Sequence, residues 1–204
     1  MNDSPEFSPP PERPFLNQRF DFGNVFERFN GHPPTRLDSG SLLVMTNRVT
    51  RDGLTPIEVE QELALSTNFT ERLYHIGQKD RQEEITLMYR ALFDREVDEG
   101  GYKFYKPMAH KSSEVVHRAI TSDEWSERAV KEMYRFLLAR DPDQGGLEHY
   151  QPMARSGDLA AIRKSIKESE EYKEVQRLRA QNADASQVGA YIQDGVAHFT
   201  DRLL

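Results

Sequence analysis

The chain has 204 residues, of which 37% are hydrophobic and 30% charged, and its formal net charge is -7 at pH 7. That apolar content suits one modest helical domain or two small ones, and the acidic balance argues against nucleic acid as a partner, because a phosphate backbone calls for a basic footprint. With no cysteine in the sequence, disulfides, thiolate metal sites and cysteine nucleophiles are excluded.

The opening residues, MNDSPEFSPPPERP, hold no basic segment followed by an apolar run. No stretch of the chain approaches the roughly eighteen consecutive apolar residues of a membrane span. The expected location is therefore the cytoplasm, or an assembly reached without a classical signal peptide. Residues 1–38 read as an extended Pro-rich arm, since seven of the eleven prolines precede residue 35. The same stretch carries Phe7, Phe15, Phe20, Phe22, Phe26 and Phe29, six of the eleven phenylalanines, whereas solvated linkers are poor in aromatics. Two readings follow: the rings fold back on the domain, or the arm orders on a partner. Aromatic anchors on a Pro-rich backbone suit docking in either case, and the six phenylalanines are taken as candidate partner-binding residues.

From residue 39 the apolar positions recur three and four apart, which predicts helices at 39–49, 55–76, 81–94, 99–109, 112–120, 123–139, 144–155, 158–167, 169–181 and 186–203. No alternating strand pattern competes, so the fold class is all-α. The repeated domain spans 39–182. The last stretch, 183–204, is a C-terminal amphipathic helix with Val188, Tyr191, Ile192, Val196, Phe199 and Leu203 on one face. That face suits core packing or self-association.

An internal repeat organises the domain. Residues 85–108, ITLMYRALFDREVDEGGYKFYKPM, match 130–153, VKEMYRFLLARDPDQGGLEHYQPM, at eleven of twenty-four positions with an offset of 45. The back half of the unit recurs once more: 49–69 parallels 153–172, with Ser66, Ser122 and Ser169 in step. Two full repeats and one half repeat of about 45 residues are therefore expected.

Each unit predicts a helix carrying Met-Tyr-Arg-x-Leu, a polar turn, and a second helix opening at Gly-Gly. Asp98 and Asp143 are expected to cap the second helix. Arg95 and Arg140 are expected to close the first, and Gly100, Gly101, Gly145 and Gly146 to supply positive φ or close approach. Arg90 and Arg135, one step off the apolar stripe, are the further partner-binding candidates.

The run from Asp141 through Asp143 to Gly145 and Gly146 invites comparison with a calcium loop. The twelfth position, where an EF-hand needs glutamate, is Pro152, so capping is favoured and no metal is assigned. The six histidines show no HExxH spacing, and no GxSxG or phosphate-binding loop occurs. No catalytic residue, enzyme activity or cofactor is expected.

The pattern at 134–150, Tyr-Arg-x-Leu-x-x-Arg-x-Pro-Asp-x-x-Gly-Leu-x-x-Tyr, with Ser-Glu-Glu-Tyr at 169–172, resembles the DUF4214 helical repeat. The order of half-unit, Arg72-Leu-Tyr74, a helix closing at Arg95 and the tail Ser122-Asp-Glu-Trp125 also resembles the linker-polypeptide domain of the phycobilisome. Two positions depart from the pattern: Asp94 and Ala139 stand where the "Leu-Gly-Arg" core has glycine, and Val97 stands where it has proline. The resemblance implies a helical architecture and a non-catalytic linker or scaffold role among protein subunits of a larger assembly. The alternative is a surface or virion-associated module that recognises carbohydrate or calcium.

Overall fold

The computed structural model describes residues 12–16, 20–108 and 111–182. Among these, regular structure is entirely helical, in eleven α-helices and two short 3-10 turns. No helix of the described residues is long and apolar enough to cross a membrane.

The first helix, α1 (Phe22–Asn30), lies inside the stretch expected to be extended. Its sequence holds complete start and stop signals. The Asp21 carboxylate accepts from the Gly23 and Asn24 N–H groups at 2.8 and 3.2 Å, and Gly31 closes the helix with φ 70°, its N–H donating to the Glu27 carbonyl at 2.6 Å. Between these caps Val25, Phe26 and Phe29 form one buried face, and the Phe29 ring meets Phe69 edge-on at 4.9 Å. Burying each such ring contributes about 1.5–3 kcal/mol. The extended-arm expectation is therefore corrected for 22–30: Phe26 and Phe29 belong to the core and are not free for a partner. Phe20 and Phe22 pack on each other at 4.9 Å and lie half-buried against the same core. Phe7 and the stretch 183–204 lie outside the described residues.

Helices α2 (Ser39–Thr50), α3 (Pro56–Leu65) and α4 (Thr67–Gly77) follow. The single helix expected over 55–76 is thus two, divided at Ser66, whose backbone is extended with ψ 146°. The Ser66 hydroxyl accepts from the Phe69 N–H at 3.3 Å and donates to the Leu63 carbonyl at 2.6 Å. A serine that satisfies both helix ends overrides a continuous apolar period. The same joint recurs at Ser122, with Trp125 at 3.2 Å and Ala119 at 2.7 Å, and at Ser169, with Tyr172 at 3.1 Å and Ile166 at 2.7 Å.

After α5 (Arg81–Phe93) comes α6 (Glu99–Tyr105), shorter than the expected 99–109. It tightens into a 3-10 turn at Lys106–Met108, where Pro107 offers no N–H to continue the ladder. The remaining helices are α7 (Ser112–Ile120), α8 (Asp123–Leu138), α9 (Gln144–Arg155), α10 (Leu159–Glu168) and α11 (Glu170–Asn182). Helices α5 and α8 run through the interior. Ile85, Met88 and Leu92 of the first and Trp125, Met133 and Leu137 of the second are almost wholly buried.

A buried charge cluster fixes this arrangement. Glu60 of α3 sits between Arg28 of α1 at 2.7 Å and Arg128 of α8 at 2.8 Å. The two arginines also donate to the terminal carbonyls of α5, Arg28 to Ala91 at 2.8 Å and Arg128 to Leu92 at 3.1 Å. The cluster thereby ties α1, α3 and α8 to the C-terminal end of α5. A second tie joins distant parts of the chain: Arg163 of α10 pairs with Glu58 at 3.1 Å and donates to the Gly53 carbonyl at 2.8 Å.

Candidate functional site

The two turns related by the 45-residue offset carry matching side-chain contacts. After α5 the Arg95 guanidinium forks onto Glu124 at 2.7 and 3.0 Å; after α8 Arg140 forks onto Glu171 at 2.6 and 2.8 Å. Each arginine also donates to the next carbonyl, Glu96 at 3.0 Å or Asp141 at 2.9 Å, and lies over a tyrosine ring, Tyr89 at 4.8 Å or Tyr134 at 5.2 Å. Two-point pairing and stacking are what a planar guanidinium does best. Arg95 and Arg140 are expected to close their helices; their bonds go instead to the turn and beyond it, each clamping the turn to the helix that follows the next serine cap.

Asp98 and Asp143 cap α6 and α9 through the Gly101 and Gly146 N–H groups, both at 2.6 Å. The Gly101 N–H holds the Asp98 carboxyl below its usual range. Within each glycine pair the second member is the constrained one. A Cβ at Gly101 would lie 2.0 Å from the Tyr89 hydroxyl and one at Gly146 2.4 Å from that of Tyr134. Gly100 and Gly145 would meet only the capping carboxylate, at 3.4 and 3.7 Å. None of the four has positive φ, which corrects one of the two reasons expected for them. Burial pushes the Tyr134 hydroxyl up to about 12. The positive φ belongs instead to Asp94 (54°) and Ala139 (57°), the positions where the resembled pattern has glycine.

The second turn holds a piece of the N-terminal arm. The Phe15 N–H donates to the Ala139 carbonyl at 3.2 Å, and the Arg135 guanidinium lies 5.1 Å from the centre of the Phe15 ring. Arg13 donates to the Leu138 carbonyl and pairs with Glu171 at 3.0 Å. The Arg140 fork holds the Glu171 carboxyl below its usual range, and Arg13 adds to the effect. Beside this seat a shallow cavity of about 130 Å³ is lined by Phe15, Phe20, Pro56, Phe136 and Arg179. The Ala139 carbonyl stands just past the end of α8, where a helix leaves its last carbonyls without internal partners, and there accepts the Phe15 N–H. The seat therefore reads a peptide by two backbone acceptors, one carboxylate and one cation over a ring.

Of the sequence candidates, the fold brings Phe15, Arg135 and Arg140 together. Arg90 stands apart on α5, paired with Glu96 at 2.7 Å, as Arg135 pairs with Asp141 at 2.7 Å. Asp141 and Asp143 thus face a guanidinium and a helix N-terminus. Among the described residues no three His, Asp or Glu side chains gather so as to hold a metal ion. Sequence reasoning missed Arg13, Glu124 and Glu171. For the glutamates a signal was present, because both stand two residues after a repeated serine cap.

A larger open groove, about 440 Å³, lies between α6 and α7 and is lined by Phe104, Tyr105, Glu114, His117, Arg118 and Thr121. In the following unit the counterpart of Tyr105, Tyr150, bonds Ser165 at 2.9 Å, whereas Arg118 leans over Phe104 at 5.8 Å. No family model, no curated protein and no solved structure matches this chain.

Proposed function

We propose that this chain is a non-catalytic structural or linker protein that joins subunits of a larger assembly. Its body is two full helical repeats preceded by half of one, and its N-terminal segment is the docking arm. The observation that carries the reading is the seating of Arg13 and Phe15 on the turn after α8. A turn that already grips the Arg13–Leu16 bend of the chain through backbone carbonyls and an arginine supports a role in protein recognition. The polar groups of the turns support the same reading. Their carboxylates cap helices or fork arginines, and repeated units build surfaces more readily than single catalytic constellations.

The test is capture from the native source with tagged full-length protein and with a form lacking residues 1–16. The cut must stop before α1, because Val25, Phe26 and Phe29 are core residues. The expected result is a defined set of structural subunits recovered with the full chain and lost from the shortened one, both forms giving the same helical circular dichroism. Recovery of the same set by both forms would remove the arm from the mechanism. Recovery of none by either would sink the linker reading.

A further inference from the structure

The arm seat has a counterpart at the first turn. The 45-residue offset carries Arg135, Leu138 and Ala139 onto Arg90, Phe93 and Asp94, and the backbone follows, since Ala139 and Asp94 share left-handed φ values of 57° and 54°. The acidic wall follows too: Glu124 forks Arg95 as Glu171 forks Arg140. At the second turn the arm fills these groups. At the first, among the described residues, no donor reaches the Phe93 or Asp94 carbonyls. The Arg90 and Glu124 side chains are 48% and 46% exposed, against 31% and 28% for Arg135 and Glu171.

The filled seat identifies the chemistry of what suits the open one. We infer that the first turn, Arg90, Phe93, Asp94 and Glu124, binds a short bend of another protein in which, as in the Arg13–Leu16 turn, an arginine stands two residues before an aromatic ring. The arginine pairs with Glu124 and the Phe93 carbonyl. The ring lies on the Arg90 guanidinium, and its own N–H meets the Asp94 carbonyl. The Asp94 carboxylate, 61% exposed and 3.8 Å from Arg28, adds a negative charge where the second turn has a methyl group. With the chain's own arm held at the second turn, the protein offers one filled and one open copy of a single recognition unit.

The inference extends the linker reading but does not depend on the arm as tether, so the capture experiment can fail while this one succeeds. The probe is the capped peptide Glu-Arg-Pro-Phe-Leu, titrated to millimolar concentration into isotope-labelled full-length protein and followed by amide chemical shifts. Shifts centred on Arg90 to Arg95 are expected. They should weaken by about tenfold or more in affinity with Arg90→Ala protein, or with a peptide whose Phe is replaced by Ala. Arg135→Ala protein should retain them. Shifts confined to Leu138 and Ala139, or no shifts at all, would overturn the assignment. Concentration-dependent self-association of the full chain that Arg90→Ala abolishes would reassign the occupant to a second copy's arm and overturn the assignment to a different protein.

Discussion

The hydroxyl of Tyr134 occupies the space that a side chain on Gly146 would need: a Cβ there would stand 2.4 Å from the oxygen and 3.0 Å from the ring carbon bearing it. The first unit is tighter, with Tyr89 at 2.0 and 2.6 Å from the corresponding atom on Gly101.

This difference predicts an asymmetric rescue. Gly146→Ala and Gly101→Ala should each destabilise the fold by about 1–3 kcal/mol through overpacking, measured by urea denaturation. Adding Tyr134→Phe removes the clashing oxygen and should recover most of the loss at Gly146. Tyr89→Phe should recover less at Gly101, because the ring carbon still intrudes. Equal rescue in both units would show that ring displacement, not the hydroxyl, sets the cost.

The helix ends at Asp94 and Ala139 adopt a conformation that costs an L-residue about 1–2 kcal/mol and that glycine adopts freely. After the extra unfolded-state entropy of glycine, Asp94→Gly should stabilise by about 0.5–1 kcal/mol. The same gain at Ala139 is offset by the buried methyl group it loses. Thermal melts of the two variants check the order; a gain larger at Ala139 would contradict it.

Among the described residues Glu60 alone pairs with both Arg28 and Arg128. Glu60→Ala leaves Arg128 without its carboxylate and Arg28 with only the more distant Asp94, and should cost about 3–5 kcal/mol in chemical denaturation. Replacing Glu60, Arg28 and Arg128 together by apolar residues of similar volume should cost much less. If the single and triple replacements are equally harmful, the cluster matters through its bonds to the Ala91 and Leu92 carbonyls, not through charge balance.

Glu84 is buried, and burial raises its carboxyl above the ordinary 4.5, opposed by the Ser112 hydroxyl donating at 2.7 Å and by Arg81. Below the ordinary value both folded and unfolded chains hold the proton. As pH rises the unfolded chain ionises first, so stability falls up through the raised folded value and stays lower beyond it. Glu84→Gln escapes that loss. Its melting temperature should exceed that of the parent near neutral pH and converge on it in acid. A constant difference across the range would place the effect in packing.

Much of the fold was legible because its signals are local. The joints at Ser122 and Ser169 and the Asp98 and Asp143 caps each act within four residues, and the recurrence of the pattern doubled the signal. Helix α1 was equally local but hidden by its surroundings. Asp21, the face of Phe22, Val25, Phe26 and Phe29, and Gly31 spell a capped amphipathic helix, and the neighbouring prolines drew the reading toward an extended chain. The arm seat was not legible. Arg13 and Glu171 stand 158 residues apart, and no period or motif reports a pairing of that span.

The Arg163–Glu58 tie and its bond to the Gly53 carbonyl bring residues 153–172 against residues 49–69, two stretches that resemble each other in sequence. In an open solenoid each unit touches only its neighbours, so copies can be added or lost at the ends and the stack can fray from either one. Here the stretch 153–172 meets the stretch 49–69 that it resembles. Loss of either partner would release both ends at once, and the body should melt as a single block instead of unravelling helix by helix.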